Sequence, residues 1–197
     1  AEHHSYPCLH HFSPVVLNQM EKTDALLLKL KDVLNNPLVA GGAPRDWFFN
    51  NTATDVDVFI DPQDVQLLVE QVKDCLDLPV IDVVTSEQLP ENYRSTYIST
   101  VISFRFEGVS FQLILKNTIE NPLLSFPASV SCITYENFCI KPTQSFLQSI
   151  RSSSMLITKS CTQKYERKII KKFNTYSIRY VDRIDIRSIV GNTELDW

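Results

Sequence analysis

The sequence predicts an α+β protein, a mixed β-sheet flanked by helices with a short helical C-terminal part. Apolar residues recur at helical spacing over 14–35 and again after Asp61. Short β-branched runs stand at 38–40, 56–60 and 97–115, and the pattern turns helical again from Pro142. At 197 residues, 44% hydrophobic and 21% charged, the chain suits one globular domain or one core with a modest appendage.

Taken in order, residues 1–12 read as an irregular arm. Ser13-Pro14 pairs an N-cap residue with proline at a first helical position, so a helix is expected over 14–35. Asn35-Asn36-Pro37 stops it, and Leu38-Val39-Ala40 is a short buried strand running into Gly41-Gly42. Pro44 to Phe49 fits one or two helical turns. Val56 to Ile60 is the next strand, and Asp61-Pro62 restarts a helix carrying Val65, Leu68, Val69, Val72 and Leu76 on one side. Pro79 to Val84 is strand-like. Tyr97 to Phe106 and Val109 to Leu115 flank Glu107-Gly108, a hairpin signal, and Ser129 to Tyr135 is a further strand. Helices are expected over 142–151 and 158–173. The expected division is an arm (1–12), a core (13–140) and a helical, basic extension (141–197).

Charge is uneven. Residues 1–150 hold nine Lys/Arg against eighteen Asp/Glu, and residues 151–187 hold ten against three, within a net charge of −4. Lys164, Arg167, Lys168 and Lys171 cluster on the expected C-terminal helix, with Tyr165, Phe173 and Tyr176 interleaved. Such a surface can grip an RNA backbone and stack a base, or simply face water with its aromatics in the core. Five cysteines without a CxxC pair read as reduced thiols. No apolar run approaches the roughly 18 residues of a membrane span. The start, Ala1-Glu2-His3-His4, lacks signal-peptide character, so a cytoplasmic location is the expectation. His3, His4, His10 and His11 around Cys8 have metal-ligand chemistry but read as a functionless terminal arm.

Two features carry chemistry. Asp55 and Asp57, at i and i+2 on a strand, project from one face about 7 Å apart at the backbone. Their mutual repulsion is relieved by a cation between them, and hard carboxylate oxygens suit Mg²⁺ with substrate phosphates. Upstream, Gly41-Gly42 holds two of only four glycines in the chain, where a strand meets a short helix. Bare backbone there lets N–H groups approach a triphosphate. Either feature alone is common; the order strand, double glycine, helix, strand, paired aspartate is specific. No GxSxG, HExxH or P-loop lysine pattern is present, which leaves hydrolase and kinase readings without footing.

Val39-Ala40-Gly41-Gly42-Ala43-Pro44-Arg45-Asp46, followed by Thr54-Asp55-Val56-Asp57-Val58, resembles the GGxxRD…DxD signature. That signature marks the head domain of tRNA CCA-adding enzymes and bacterial poly(A) polymerases, within the polymerase-beta-like nucleotidyltransferases. The match covers residues 38–60. More loosely, 109–115, 126–135 and the basic 165–168 stretch are similar to small phage-encoded nucleotidyltransferase-like proteins. The resemblance implies a nucleotidyltransferase-type sheet in which Asp55 and Asp57 are catalytic and hold two Mg²⁺ with the NTP. It implies that Gly41, Gly42 and Thr54 line the nucleotide site, with Arg45 and Asp46 packed under the loop. Arg45 either reaches a phosphate or pairs with a core carboxylate. The implied partners are an NTP and an RNA or tRNA 3′ end, with a protein side chain as second acceptor and no membrane. Many members carry a third carboxylate on a later strand; the candidate strand here presents Gln112, and Asp82 is the nearest substitute by type. Hence a second reading stays open, a binding or structural protein that keeps the fold without catalysis.

Overall fold

The computed structural model describes residues 11–89, 98–158, 161–173 and 180–184. The arm with His3, His4, Cys8 and His10 therefore lies outside the described residues, as do Tyr97, Lys159 and Tyr176.

Helix α1 (Pro14–Lys29) starts where Ser13 caps it, the Ser13 hydroxyl accepting from Val16 N–H. It is shorter than the expected 14–35, because the chain turns after Leu30 and reaches Asn36 in a left-handed conformation. Strand β1 (Leu38–Ala40) leads into α2 (Gly42–Phe48), and β2 (Val56–Ile60) follows a loop. Helix α3 (Val65–Leu76) is capped by Asp64 and ends at a left-handed Asp77. Strand β3 (Asp82–Thr85) starts later than read, and β4 (Ile98–Phe106) and β5 (Val109–Lys116) form the expected hairpin. Glu107 and Gly108 both take positive φ (49° and 83°), which matches the two-residue turn that hairpins favour.

Two stretches differ from the sequence reading. Residues 129–131 form a tight 3₁₀ turn, so the strand there, β6, is Ile133–Glu136. A further strand, β7 (Cys139–Pro142), folds back on β6 through Asn137-Phe138, both at positive φ. Beyond it, α4 (Gln144–Ser152) and α5 (Gln163–Phe173) fall on the expected helices. Between them lies β8 (Ser154–Thr158), which pairs in parallel with β9 (Tyr180–Ile184), so the C-terminal part is mixed rather than purely helical. Met155 and Ile157 bury alternate side chains, the strand period that overrides the helical reading at this point.

The main sheet has seven strands in the order β3-β4-β5-β2-β1-β6-β7. Within it β2 and β5 run parallel and the remaining neighbours antiparallel, a mixed α+β architecture. One face carries Val56, Val58, Ile60, Ile102 and Leu113 into the main core beside Val16, Met20 and Leu26 of α1 and Leu68 and Val72 of α3. The opposite face carries Phe59 and Ile114 under Leu123 and Phe126. That cover reaches only part of the face. At the start of β2 the same face presents acids instead of apolar residues.

Candidate active site

Strand β1 delivers Gly41 to the edge of this acidic end. Gly41 N–H donates to Ile133 C=O at 3.0 Å, and its φ of 83° with ψ of −127° is a conformation open to glycine alone. Gly41 C=O then accepts from Arg45 N–H at 3.1 Å, which starts α2. A Cβ on Gly42 would sit 3.5 Å from Arg45 Nη2, so the guanidinium packs directly against the second glycine.

Arg45 and Asp46 are buried, at 7% and 5% exposure, beneath the turn. Arg45 Nε donates to Asp46 Oδ1 at 3.2 Å, and Lys172 Nζ of α5 lies 3.5 Å from Asp46 Oδ2. The Arg45 guanidinium also stands over the Phe173 ring, 5.1 Å from its centroid. Of the two roles the sequence left open for Arg45, the carboxylate pairing is the one formed in this structure. Burial pushes the Lys172 ammonium down, helped by the Arg45 charge and opposed by Asp46.

Thr54 and Asp55 are exposed on the loop before β2, and Asp57 is half-buried on the strand. Val56 and Val58 are fully buried on the other face, as strand alternation requires. The register Val39↔Val58, continued by one residue, sets Ala40 beside Asp57 and so brings Gly41-Gly42 to the aspartate pair. Asp57 Oδ1 is buried without a hydrogen-bond partner. Its carboxyl is pushed up to about 7 by burial and by the Asp55 charge, with Arg45 pulling the other way. A buried, unsatisfied carboxylate oxygen beside a second carboxylate is a fit for a divalent cation, which would supply both the missing ligand and the missing charge. Asp55 and Asp57 are the residues that would hold it.

The third position is neutral. Asp57 pairs with Gln112 on β5, Gln112 with Ser103 on β4, and Ser103 with Asp82 on β3. Asp82 therefore lies three strand intervals away, about 14 Å across the sheet, too far to join the pair. Among the described residues no group of three His, Cys, Asp or Glu side chains is placed to hold a metal ion.

One supporting residue carried no signal in the sequence. Gln19 of α1 donates through Nε2 to Ala53 C=O at 2.9 Å. Its Oε1 accepts from Ala53 N–H at 2.8 Å and from Trp47 Nε1 at 2.9 Å. Gln19 thereby ties α2 and the Thr54–Asp55 loop to the first helix. A polar residue on a half-buried helical face looks the same in sequence as any solvated glutamine, so only the fold exposes this role.

On α5, Lys164, Arg167, Lys168 and Lys171 are exposed, within an arc of about 100° around the helix. Ile169 and Phe173 are buried on the opposite side, and Tyr165 packs half-buried against that cluster. Phe173 is thus a core residue under Arg45, which removes it from the surface the sequence suggested for stacking a base.

The mixed sheet, the double-glycine turn before α2 and the aspartates at the start of β2, Asp55 on the loop and Asp57 on the strand, together define a nucleotidyltransferase-type fold. The solved structures it is similar to bear this out. A Thermotoga maritima CCA-adding enzyme complexed with tRNA superposes over 96% of this chain and 43% of its own, with 14% identity and TM-score 0.56. A CCA-adding enzyme in complex with ATP superposes over 92% of this chain and 43% of its own, with 14% identity and TM-score 0.59. An apo CCA-adding enzyme covers 99% and 44%, at 12% identity and TM-score 0.54. At such identities the likeness is one of fold, and the chain spans under half the length of those enzymes. No protein-family model and no curated protein sequence matches the chain. Among the described residues no helix is long and apolar enough to cross a membrane.

Proposed function

We propose that the protein is a Mg²⁺-dependent nucleotidyltransferase that moves a nucleoside monophosphate from an NTP to a hydroxyl, with an RNA or tRNA 3′ end as acceptor and a protein side chain second. The observation that carries this reading is the meeting, at one end of the sheet, of the Gly41-Gly42 turn and an aspartate pair with an unpartnered buried oxygen. Gly41 and Gly42 offer bare backbone to the triphosphate, and Arg45 and Asp46 brace that turn from below. Asp55 and Asp57 would hold two Mg²⁺, which would supply charge neutralisation at the triphosphate and at the acceptor oxygen. Thr54 sits next to Asp55 on the loop before β2. In the transfer the acceptor oxygen bonds to the α-phosphorus as the bond to the β-phosphate oxygen breaks. Pyrophosphate leaves and the hydroxyl proton passes to water. Lys164, Arg167, Lys168 and Lys171 on α5 contact the RNA backbone.

The test is incorporation of labelled NTP into RNA and protein acceptors with Mg²⁺, alongside thermal midpoints with each NTP. A ligand at about 100 times its Kd stabilises by roughly 2.7 kcal/mol, a shift on the order of 5–10 °C for a chain of this size. Wild type is expected to show a Mg²⁺-dependent shift and transfer, and Asp57→Asn neither. Transfer at wild-type rate in Asp57→Asn overturns the assignment. Gln112 in register with Asp57 favours a second reading, a nucleotidyltransferase fold that binds a partner without catalysis. Nucleotide or partner binding indifferent to Mg²⁺ and to loss of either aspartate decides for it.

A further inference from the structure

Helix α5 touches the candidate site from behind. Its inward end contributes Phe173, fully buried under the Arg45 guanidinium, and Lys172, whose ammonium faces the oxygen of Asp46 that Arg45 leaves open. Arg45 in turn packs against Gly42, so α5, the Arg45–Asp46 pair and the double-glycine turn form one continuous stack. The outward face of the same helix carries Lys164, Arg167, Lys168 and Lys171.

Those outward cations stand at helical neighbour spacings, Lys164 to Lys168 and Arg167 to Lys171 at i,i+4, Lys164 to Arg167 and Lys168 to Lys171 at i,i+3. Like charges at these spacings oppose the helix, and an 11-residue helix has little stability of its own. A polyanion on that face replaces repulsion by attraction and so favours the helical, docked state of α5. Docking is what sets Phe173 and Lys172 against the Arg45–Asp46 pair. A ligand that stabilises one end of this stack must, by reciprocity, tighten the binding of a ligand that needs the other.

We propose that α5 couples the two substrates: RNA bound to its outward basic face tightens NTP binding at the Gly41-Gly42 turn, with Phe173 and Lys172 as the positioning residues that transmit the effect. This rests on the nucleotidyltransferase reading and adds to it an order among the ligands, the nucleotide binding best to the RNA-loaded protein.

The experiment uses the full chain, a non-reactive α,β-methylene NTP with Mg²⁺, and a single-stranded RNA oligonucleotide. Nucleotide Kd is measured by calorimetry with and without saturating RNA, and RNA Kd with and without saturating nucleotide. In wild type each ligand is expected to lower the Kd of the other by the same factor, several-fold. Phe173→Leu and Lys172→Gln are expected to weaken nucleotide binding alone and to bring the coupling factor to near one, while RNA Kd changes little. Lys172→Gln, at a half-exposed position, keeps the test valid if Phe173→Leu fails to fold. Equal nucleotide affinity with and without RNA, or full coupling retained in both variants, overturns the inference while leaving the nucleotidyltransferase reading standing. Absence of any nucleotide binding to wild type overturns that reading and the inference with it.

Discussion

Asp57 combines a buried unpartnered oxygen with a close like charge, and its carboxyl is pushed up to about 7 by burial first and Asp55 second. An acid whose folded pKa lies above its ordinary 3.8 holds its proton more tightly when folded. The stabilisation is full below the ordinary value and is lost as pH rises through about 7. In EDTA, Asp57→Asn is therefore expected to melt several degrees above wild type at pH 8, by up to about 4 kcal/mol, with the gap closing by pH 4. Adding Mg²⁺ and NTP should reverse the ranking, because only wild type has both carboxylates to meet them. Melting curves over that range check it, and a pH-independent gap would count against the electrostatic account. Gln19 is the other residue on which the site depends. Its replacement by leucine strands the Trp47 indole N–H and both backbone groups of Ala53. Leaving such groups unsatisfied costs about 1–3 kcal/mol. Because Ala53 precedes the aspartate loop, Gln19→Leu is also expected to raise the nucleotide Kd, which separates it from a purely structural lesion elsewhere in α1.

At the scale of elements, the turn between β1 and α2 shows how two adjacent glycines can do different work. Gly41 needs its positive φ, while a Cβ there would meet only the Phe126 ring at 3.6 Å, an ordinary contact. The cost of Gly41→Ala is therefore backbone strain, about 1–3 kcal/mol. Gly42 is already helical, and a Cβ would stand 3.5 Å from Arg45 Nη2. Gly42→Ala is expected to be within about 0.5 kcal/mol of wild type in stability and to lose nucleotide affinity only through the Arg45 guanidinium that its methyl group would press on from beneath the turn. Chemical denaturation and nucleotide titration of the two variants distinguish these outcomes; equal destabilisation would refute the division of labour. The same region was legible in sequence, because glycine pairs, Asp-Val-Asp and β-branched runs each state their backbone demands locally. Elsewhere the local signal misled. The β6–β7 turn places Phe138 at a φ of 59°, where Gly or Asn would announce a hairpin, and its N–H is satisfied instead by the Tyr135 hydroxyl at 3.0 Å. Strand β8 reads as a gap between helices because its partner β9 lies more than twenty residues on. Gln19 and Lys172 owe their importance to contacts across 34 and more than a hundred residues, which no window on the sequence can contain.

For the molecule as a whole, the decisive quantity is where the charge sits relative to the sheet. The chain is net acidic at −4, yet its basic residues gather in the C-terminal third, and four of them share the outward face of α5. Acids dominate the remainder, including the Asp55–Asp57 end of the sheet, so a polyanion without a cation is repelled from the aspartates and attracted to the helix. The two surfaces lie on opposite sides of the Arg45–Asp46 pair, which α5 touches through Lys172 and Phe173. On the proposed reading, an RNA held there would have its backbone on α5 and would bring its terminus to the aspartates only when divalent cations offset the acids. If four cations engage a single strand, the logarithm of the binding constant should fall with the logarithm of salt at a slope of about −3. Replacing Lys164 and Lys171 by glutamine removes two of the contacts and should reduce the slope to about −1.5, with the melting temperature held or slightly raised because like-charge neighbours on the helix are relieved. Fluorescence anisotropy of a labelled oligonucleotide from 50 to 300 mM salt, at fixed Mg²⁺, measures both slopes. A slope unchanged by the double substitution would place the RNA on another face of the protein, and α5 would then serve only as the brace beneath Arg45.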